Sequence, residues 1–579
     1  MDDVDAAHGQ LARNMIDFHD WVIPHLDGVP YMEKAPLPYW LVGASYLLFG
    51  VHDWAARLPF ALGAVILCWV TARYGSWAFG SRAGFYGGLV LSTSVGLFLF
   101  TRILIPDVLL ALCICVALWS FQRALNEERD EAHPKVWASV LAASVGTGVM
   151  LKGLIALVLP MGGALIYLAV TRQLFSRDTW RRLRPVTGLL IFLGITAPWH
   201  VLATLRMPPY FNFSIHPGPG QYHGFFWFYF MNEHVLRFLG LRYPHDYNTV
   251  PRISFWFLHV VWLFPWSIYA PLAFKQGYKP VDRASRTRLL ALCWSGFLLA
   301  FFTFSTTQEY YSMPLYPACA LLLGSAIASE TKESNVKLAT RAVGGLFAVA
   351  FSVIAVILYA VRNVPTPGDI AAALSRNPSA YTLSLGHMGD LTLRSFAYLR
   401  EPLALAGLAC LTAAAGAWVL PSRRGILAIV AGMLVFFHAS RLALTVFDPY
   451  LSSRSLAEQL VREPAGELIL NGAYYPFSSL LFYADRNALL LNGRFNNLEY
   501  GSYAPGAVPV FIDDAQFSRL WNSAARYYLA SDESDTEHVR KLVGELKLVK
   551  VAESGGKSLY TNYPLQEKRQ SNQENSGQP

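Results

Sequence analysis

Apolar runs of about eighteen or more residues recur along most of this chain, the length that crosses roughly 30 Å of hydrocarbon. They predict about twelve spans, at 58–76, 83–100, 107–123, 136–151, 154–170, 187–205, 253–273, 289–305, 314–329, 342–361, 402–420 and 425–447. After residue 447 the pattern changes. ELILNG, ALLLNG and VPVFIDD are short strand-like runs that end in turn residues. AQFSRLWNSAARYYLA and TEHVRKLVGEL read as helices between them. The expected organisation is a transmembrane domain over 1–447, a small α/β domain over 448–565, and a polar, disordered tail over 566–579.

Composition supports the membrane reading. Of 579 residues 54% are hydrophobic and 15% charged, and the mean hydropathy is +0.33. Soluble domains carry about 25% charged residues. The net charge of +8 does not imply nucleic acid, because in membrane proteins Lys and Arg first report orientation. Every second loop is basic, including Arg82, Arg123, Arg129, Lys135, the RQLFSRDTWRRLR segment, Lys275 to Arg288, Lys332 to Arg341, and Arg423–Arg424. These loops are expected to face the cytoplasm. The alternate segments, including the first loop 1–57, the large loop 206–252 and everything after 448, then face outward. An outward N-terminus with no segment to translocate it leads to the expectation that an apolar first helix precedes Met1. All six cysteines lie in apolar stretches and read as packing residues.

Polar residues collect on the outward side. Asp2, Asp3 and Asp5 open the chain with His8 close behind, Glu33 and Lys34 follow, and Asp107 begins a span. His234 and Arg237 stand one helical turn apart, and Tyr310 and Tyr311 precede another span. Each has a plainer reading: solvated acids, a surface ion pair, a helix cap at Asp107, interfacial anchors and an aromatic belt. APLPYW is expected to lie along the membrane interface. Midspan charge is scarce apart from Arg441, which argues against an ion-coupled transporter. Carboxylates, cations and tyrosines on one rim are what a reaction on a lipid phosphate needs.

The run ARNMIDFHDWVIPHLDGVPYMEKAPLPYW resembles the first extracytoplasmic loop of the polyprenyl-phosphate-dependent glycosyltransferases of the GT-C class. That class includes protein O-mannosyltransferases and lipid A aminoarabinose transferases. Ala12, Arg13, Met15, Asp20, Trp21, Tyr31, Glu33, Lys34, Pro36 and Leu37 match its pattern. R-x-x-x-P-D at 102–107, L-K-G at 151–153, A-P-W-H at 197–200, E-H-x-x-R-F at 233–238 and Y-x-x-P-x-x-P at 311–317 resemble later motifs. The family's Asp-Glu pair is replaced by D-D-V-D, so its aspartate falls on Asp5 or Asp3, with Asp5 favoured by the spacing to His8. Its S-x-x-K reads Ser305-Thr306-Thr307-Gln308 here, without the lysine.

The resemblance implies an inverting transfer of a sugar from a polyprenyl-phosphate donor to a hydroxyl of a lipid, glycan or protein acceptor. It places the site on the periplasmic side of a bacterial inner membrane. Asp5 is the expected base, with Asp107, and Asp3 as the alternative aspartate. Lys34, Arg237 and Tyr311 are expected to hold the phosphate, and Glu33 and His234 a divalent metal. A lipid-linked sugar flippase is the competing reading, with polar lining through the membrane as its distinguishing mark, and an envelope scaffold is a third.

Overall fold

The computed structural model describes residues 1–126, 133–215, 218, 220–244, 250–305, 307–329, 333–375, 389–495 and 497–564. Arg129, Thr306, Lys332, Arg376 and the tail 566–579 lie outside the described residues. The chain divides into two compact units. The larger comprises 8–447 and 496–507, and the smaller 1–7, 448–495 and 508 onward.

The larger unit is helical and built for a bilayer. Among the described residues nine helices are long and apolar enough to span, or ten if the bent pair Arg252–Trp262 and Trp266–Phe274 counts as one span. Ile155–Val170 is a shorter apolar helix. Two expectations need correction. The 83–100 run is broken between Ser81–Ser92 and Val95–Phe100, because Thr93 and Ser94 turn their hydroxyls back onto the carbonyls of Leu89 and Leu91. The 253–273 run bends by 92° around Leu263 to Pro265. APLPYW also does more than lie along an interface, since it opens a 13-residue apolar helix, Leu37–Phe49. Small residues let the spans approach closely, as hydrocarbon offers no hydrophobic drive between helices. A Cβ on Gly324 would lie 2.5 Å from the backbone nitrogen of Gly87 on a neighbouring helix.

The same unit folds the first loop against the helices. The Asp20 carboxylate accepts the backbone N–H groups of Val22 and Ile23 and a bond from Arg206. The indoles of Trp40 and Trp199 donate to the carbonyls of Trp21 and Val22. A two-residue hairpin, β1 (His25–Leu26) with β2 (Val29–Pro30), then delivers Tyr31, Glu33 and Lys34.

The smaller unit holds a six-stranded sheet made of β3 (Glu467–Asn471), β4 (Ala488–Leu491), β5 (Phe511–Ile512), β6 (Tyr527–Asp532), β7 (Val549–Ser554) and β8 (Lys557–Thr561). Their spatial order is β5-β4-β3-β6-β8-β7, with β8 antiparallel to both neighbours. The three strand-like runs predicted before residue 513 are β3, β4 and β5. AQFSRLWNSAARYYLA is only half a helix. Asp514–Trp521 is helical, capped by Asp513, and the remainder enters β6, whose Tyr528, Leu529 and Ala530 are fully buried. An aromatic and aliphatic run buried on both faces is strand chemistry, and it overrides the helical period. Met1–Ala7 belongs to this unit, which moves the domain boundary from the one expected.

Candidate active site

Two consecutive spans, Asp107–Leu125 and Pro134–Lys152, form an antiparallel hairpin, so the start of one and the end of the other share a membrane side. Asp107 is the first residue of its helix and Lys152 the last of its own, each on the terminus whose dipole favours its charge. Their side chains meet at 2.5 Å between Nζ and Oδ1. Asp107 is 1% exposed, and its Oδ2 has no hydrogen-bond partner among the described residues. It does not cap its helix, whose cap position is Pro106. The Lys152 ammonium also stands over the rings of Tyr310 and Tyr311, at 4.9 and 4.7 Å. Both rings sit on the 3-10 turn Glu309–Leu315.

The residue after Lys152 must be glycine. Gly153 has φ +80°, and a Cβ there would lie 2.2 Å from Nε2 of His234. His234 itself closes this turn. Its Nε2 accepts the backbone N–H of Leu154 at 3.0 Å, and its Nδ1–H donates to the Tyr229 carbonyl at 2.5 Å. The π-helical Trp227–Leu236 segment provides the five-residue reach between ring and carbonyl. Burial holds the imidazole neutral and lowers its pKa to about 4.

Beside this turn lies a chain of buried ion pairs. Glu33 accepts the Tyr31 hydroxyl at 2.9 Å and Nη2 of Arg242 at 2.7 Å, and Lys34 lies 3.8 Å away. Arg242 is bound on three sides, its Nε to Glu233 at 2.5 Å and its Nη1 to the Pro244 carbonyl at 2.9 Å. Glu233 also takes Nη1 of Arg237 at 3.0 Å. Burial alone would raise the Glu233 carboxyl, but Arg242, Arg237 and Lys34 outweigh it and hold it well below the usual carboxylate range. Lys34 lies within electrostatic reach of Asp107, as do Lys34 and Arg237 of Lys152. Four cations thus face three carboxylates. Lys34 and Arg237 are the two with the most exposed side chains, at 25% and 18%, so the positive excess is presented at the surface of the cluster.

Six of the sequence-predicted residues, Glu33, Lys34, Asp107, His234, Arg237 and Tyr311, therefore come together in one unit. Lys152, Glu233 and Arg242 complete the cluster and were not selected from the sequence. Lys152 stands in the L-K-G motif and Glu233 in E-H-x-x-R-F, so both carried a signal, whereas Arg242 lies in no motif. The expected metal pair, Glu33 and His234, is engaged otherwise in this structure: the two Glu33 oxygens accept bonds from Tyr31 and Arg242, and both His234 nitrogens make hydrogen bonds. Among the described residues no group of three or more His, Cys, Asp or Glu could hold a metal ion.

Asp3 and Asp5 belong to the sheet-bearing unit. Asp3, the alternative aspartate, is tied into that unit. Its carboxylate accepts Nζ of Lys557 at 2.5 Å and both the backbone N–H and the hydroxyl of Ser479. Asp5 is fully buried in the first turn of the Asp3–Asp17 helix, where its N–H donates to Asp2.

Residues 33–201 match the family described as dolichyl-phosphate-mannose-protein mannosyltransferase. The fold matches the crystal structure of ArnT from Cupriavidus metallidurans bound to undecaprenyl phosphate, with a TM-score of 0.76 at 22% identity over 97% of this chain and 93% of that one. This chain has an ArnT-like GT-C fold. Among its curated relatives is undecaprenyl phosphate-alpha-4-amino-4-deoxy-L-arabinose arabinosyl transferase 1 of Sodalis glossinidius, 29% identical over 55% of this chain. That alignment spans about half of the relative, 53% of its length. The transferase of the same name, without the number, from Erwinia tasmaniensis is 26% identical over 90% of this chain and 86% of its own length. Within this chain the family match covers Glu33, Lys34, Asp107 and Lys152, whereas Glu233, Arg237 and Arg242 lie beyond it.

Proposed function

We propose that this GT-C protein transfers a sugar from a polyprenyl-phosphate donor to a hydroxyl of an envelope lipid, glycan or protein, inverting the anomeric centre on the periplasmic face of the inner membrane. The observation that carries this reading is the cation excess of the cluster, with Lys34 and Arg237 at its accessible edge. The lipid phosphate needs such charge as it departs from the sugar, and the relatives named above are named for an undecaprenyl-phosphate sugar.

Asp5 takes the proton of the acceptor hydroxyl as that oxygen attacks the anomeric carbon. The bond from that carbon to the phosphate oxygen breaks, and its electron pair leaves with the lipid phosphate. Lys34, Arg237 and the Tyr311 hydroxyl neutralise the charge that grows there, a contribution of about 3–4 kcal/mol per fixed group in comparable sites. Asp107, with one carboxylate oxygen taken by Lys152, offers the other to a sugar or acceptor hydroxyl. The base is assigned to Asp5 because the Lys152 ammonium already stabilises the charge of Asp107.

The test is incubation of the purified protein in nanodiscs with polyprenyl-phosphate sugars, undecaprenyl-phosphate aminoarabinose included, and mass spectrometry of the product. Transfer is expected, and Asp5→Asn should reduce it by about 10²–10⁴-fold, the usual worth of a general base. Turnover by Asp5→Asn at the wild-type rate would remove that residue from the chemistry.

A further inference from the structure

Arg242 is the hub of the ion-pair chain, and its place is set from an unexpected quarter. The next residue, Tyr243, is clamped from two sides. Asn232, fully buried, accepts the Tyr243 N–H through Oδ1 and donates through Nδ2 to the Tyr243 carbonyl, at 2.9 and 2.5 Å. At its other end the Tyr243 hydroxyl donates to Oε1 of Glu499. Glu499 is held in turn by the Tyr503 hydroxyl at 3.2 Å.

Glu499 lies more than 250 residues downstream, in the short helix Asn497–Ser502 between β4 and β5. Although β4 and β5 belong to the sheet unit, residues 496–507 pack as part of the helical unit. The fastening is extensive. Tyr500 is 1% exposed and stacks on Phe228 at 4.1 Å between centroids. Its hydroxyl accepts the His223 N–H and donates to the Gly224 carbonyl. Gly501 lies so close to β2 that a Cβ would fall 1.9 Å from the Pro30 carbonyl oxygen.

The consequence is electrostatic. Arg242 binds Glu33 and Glu233, the same two carboxylates that compete for Lys34 and Arg237. While Arg242 satisfies them, Lys34 and Arg237 are left to attract an anion. If Arg242 shifts, each glutamate draws its exposed cation inward and the anion loses its partners. We propose that Glu499, through Tyr243, is a positioning residue that holds Arg242 and thereby keeps Lys34 and Arg237 available to the lipid phosphate. This rests on the donor reading above and adds to it the requirement that the C-terminal part of the chain complete the donor site.

The test measures binding of undecaprenyl phosphate to the full-length protein in detergent, by tryptophan fluorescence titration, together with transfer kinetics. Glu499→Ala and Tyr243→Phe should each weaken binding and raise the donor KM by about tenfold, the scale of one hydrogen bond to a charged group. At saturating donor kcat should fall by no more than about the same factor, because neither residue touches the reacting atoms and both act only through Lys34 and Arg237, which also meet the charge that grows on the leaving phosphate. Glu499→Gln, which keeps an accepting oxygen, should restore binding. The double variant should be no worse than either single one. Wild-type affinity in Glu499→Ala, or additive losses in the double variant, would overturn the proposal. If Glu499→Ala does not fold, Tyr243→Phe decides alone, since it removes one hydroxyl. A wild-type protein that fails to bind undecaprenyl phosphate would overturn the donor reading with it, whereas variants that match a binding wild type overturn only the positioning role.

Discussion

Two buried aspartate–lysine pairs in this molecule have the same 2.5 Å separation and opposite surroundings. In the sheet unit Asp3 meets Lys557, and both partners are saturated: Asp3 also takes two bonds from Ser479, and Lys557 also donates to Ser453 and to the Pro476 carbonyl. In the helical unit Asp107 meets Lys152, yet one oxygen of Asp107 has no hydrogen-bond partner among the described residues. The lysine faces two tyrosine rings rather than a second oxygen. A buried polar atom without a partner costs about 1–3 kcal/mol. A pair with every lone pair and proton used is a fastening, and a pair with capacity in reserve is suited to receive a substrate.

The sharpest way to break that contrast is to neutralise both acids separately. Asp107→Asn should lower turnover by about 10²–10³-fold, the range seen when one preorganised polar group is removed, and should cost less stability than the other variant, because Asp107 gives up its bond to Lys152 whereas Asp3 gives up bonds to Lys557 and Ser479. Asp3→Asn should do the reverse. It strands the Lys557 ammonium and costs about 3–5 kcal/mol of stability, with turnover per folded molecule retained within a few-fold. Melting curves and kinetics on both proteins decide the matter, and a stability loss of equal size in the two would dissolve the distinction.

That contrast explains which parts of the site were legible in the sequence. Glu33, Lys34, Asp107, His234, Arg237 and Tyr311 stand in short motifs on one membrane side, so spacing and sidedness were enough to select them. Arg242 could not be selected, because its meaning comes from Glu33, 209 positions earlier, and the chain around it is unremarkable. The surroundings of Asp3 were hidden for the same reason. Its partners Ser479 and Lys557 lie at the far end of the chain, and only the spacing to His8 separated it from Asp5. The spans show the same division. Helices with uninterrupted apolar character were read directly, but the break at Thr93–Ser94 depends on two hydroxyls choosing backbone carbonyls, which the hydropathy pattern does not record. Tyr527 to Ala530 continue a helical period locally, and only their pairing with β3 and β8 makes them part of β6.

A smaller effect sharpens the division of labour among the cations. Lys34→Ala should weaken donor binding by about thirtyfold, the worth of about 2 kcal/mol for a bond to a charged group. Arg454 pairs with Glu458 on an exposed helix face of the sheet unit, with both side chains about half exposed. Arg454→Ala should leave donor binding unchanged, since surface pairs contribute about 0–1 kcal/mol. Isothermal titration with undecaprenyl phosphate would separate the two, and equal losses would mean that net charge, not placement, attracts the lipid.

The smallest effect concerns His234, which was expected to bind metal and closes the L-K-G turn. Its folded pKa of about 4 lies below the ordinary histidine value near 6.5. The native state therefore binds fewer protons than the unfolded chain between those limits. Stability from this group is fully present above pH 6.5 and declines as pH falls toward 4. Between pH 7 and pH 5.5 the loss should be roughly 1 kcal/mol. His234→Gln cannot titrate, so it should be less stable than wild type at pH 7 but show a flatter decline over that interval. Melting temperatures in detergent across the range provide the measurement. An unchanged slope in His234→Gln would assign the acid sensitivity elsewhere. A slope abolished only on adding a chelator to the wild-type protein would restore the metal that the ring's two hydrogen bonds now argue against.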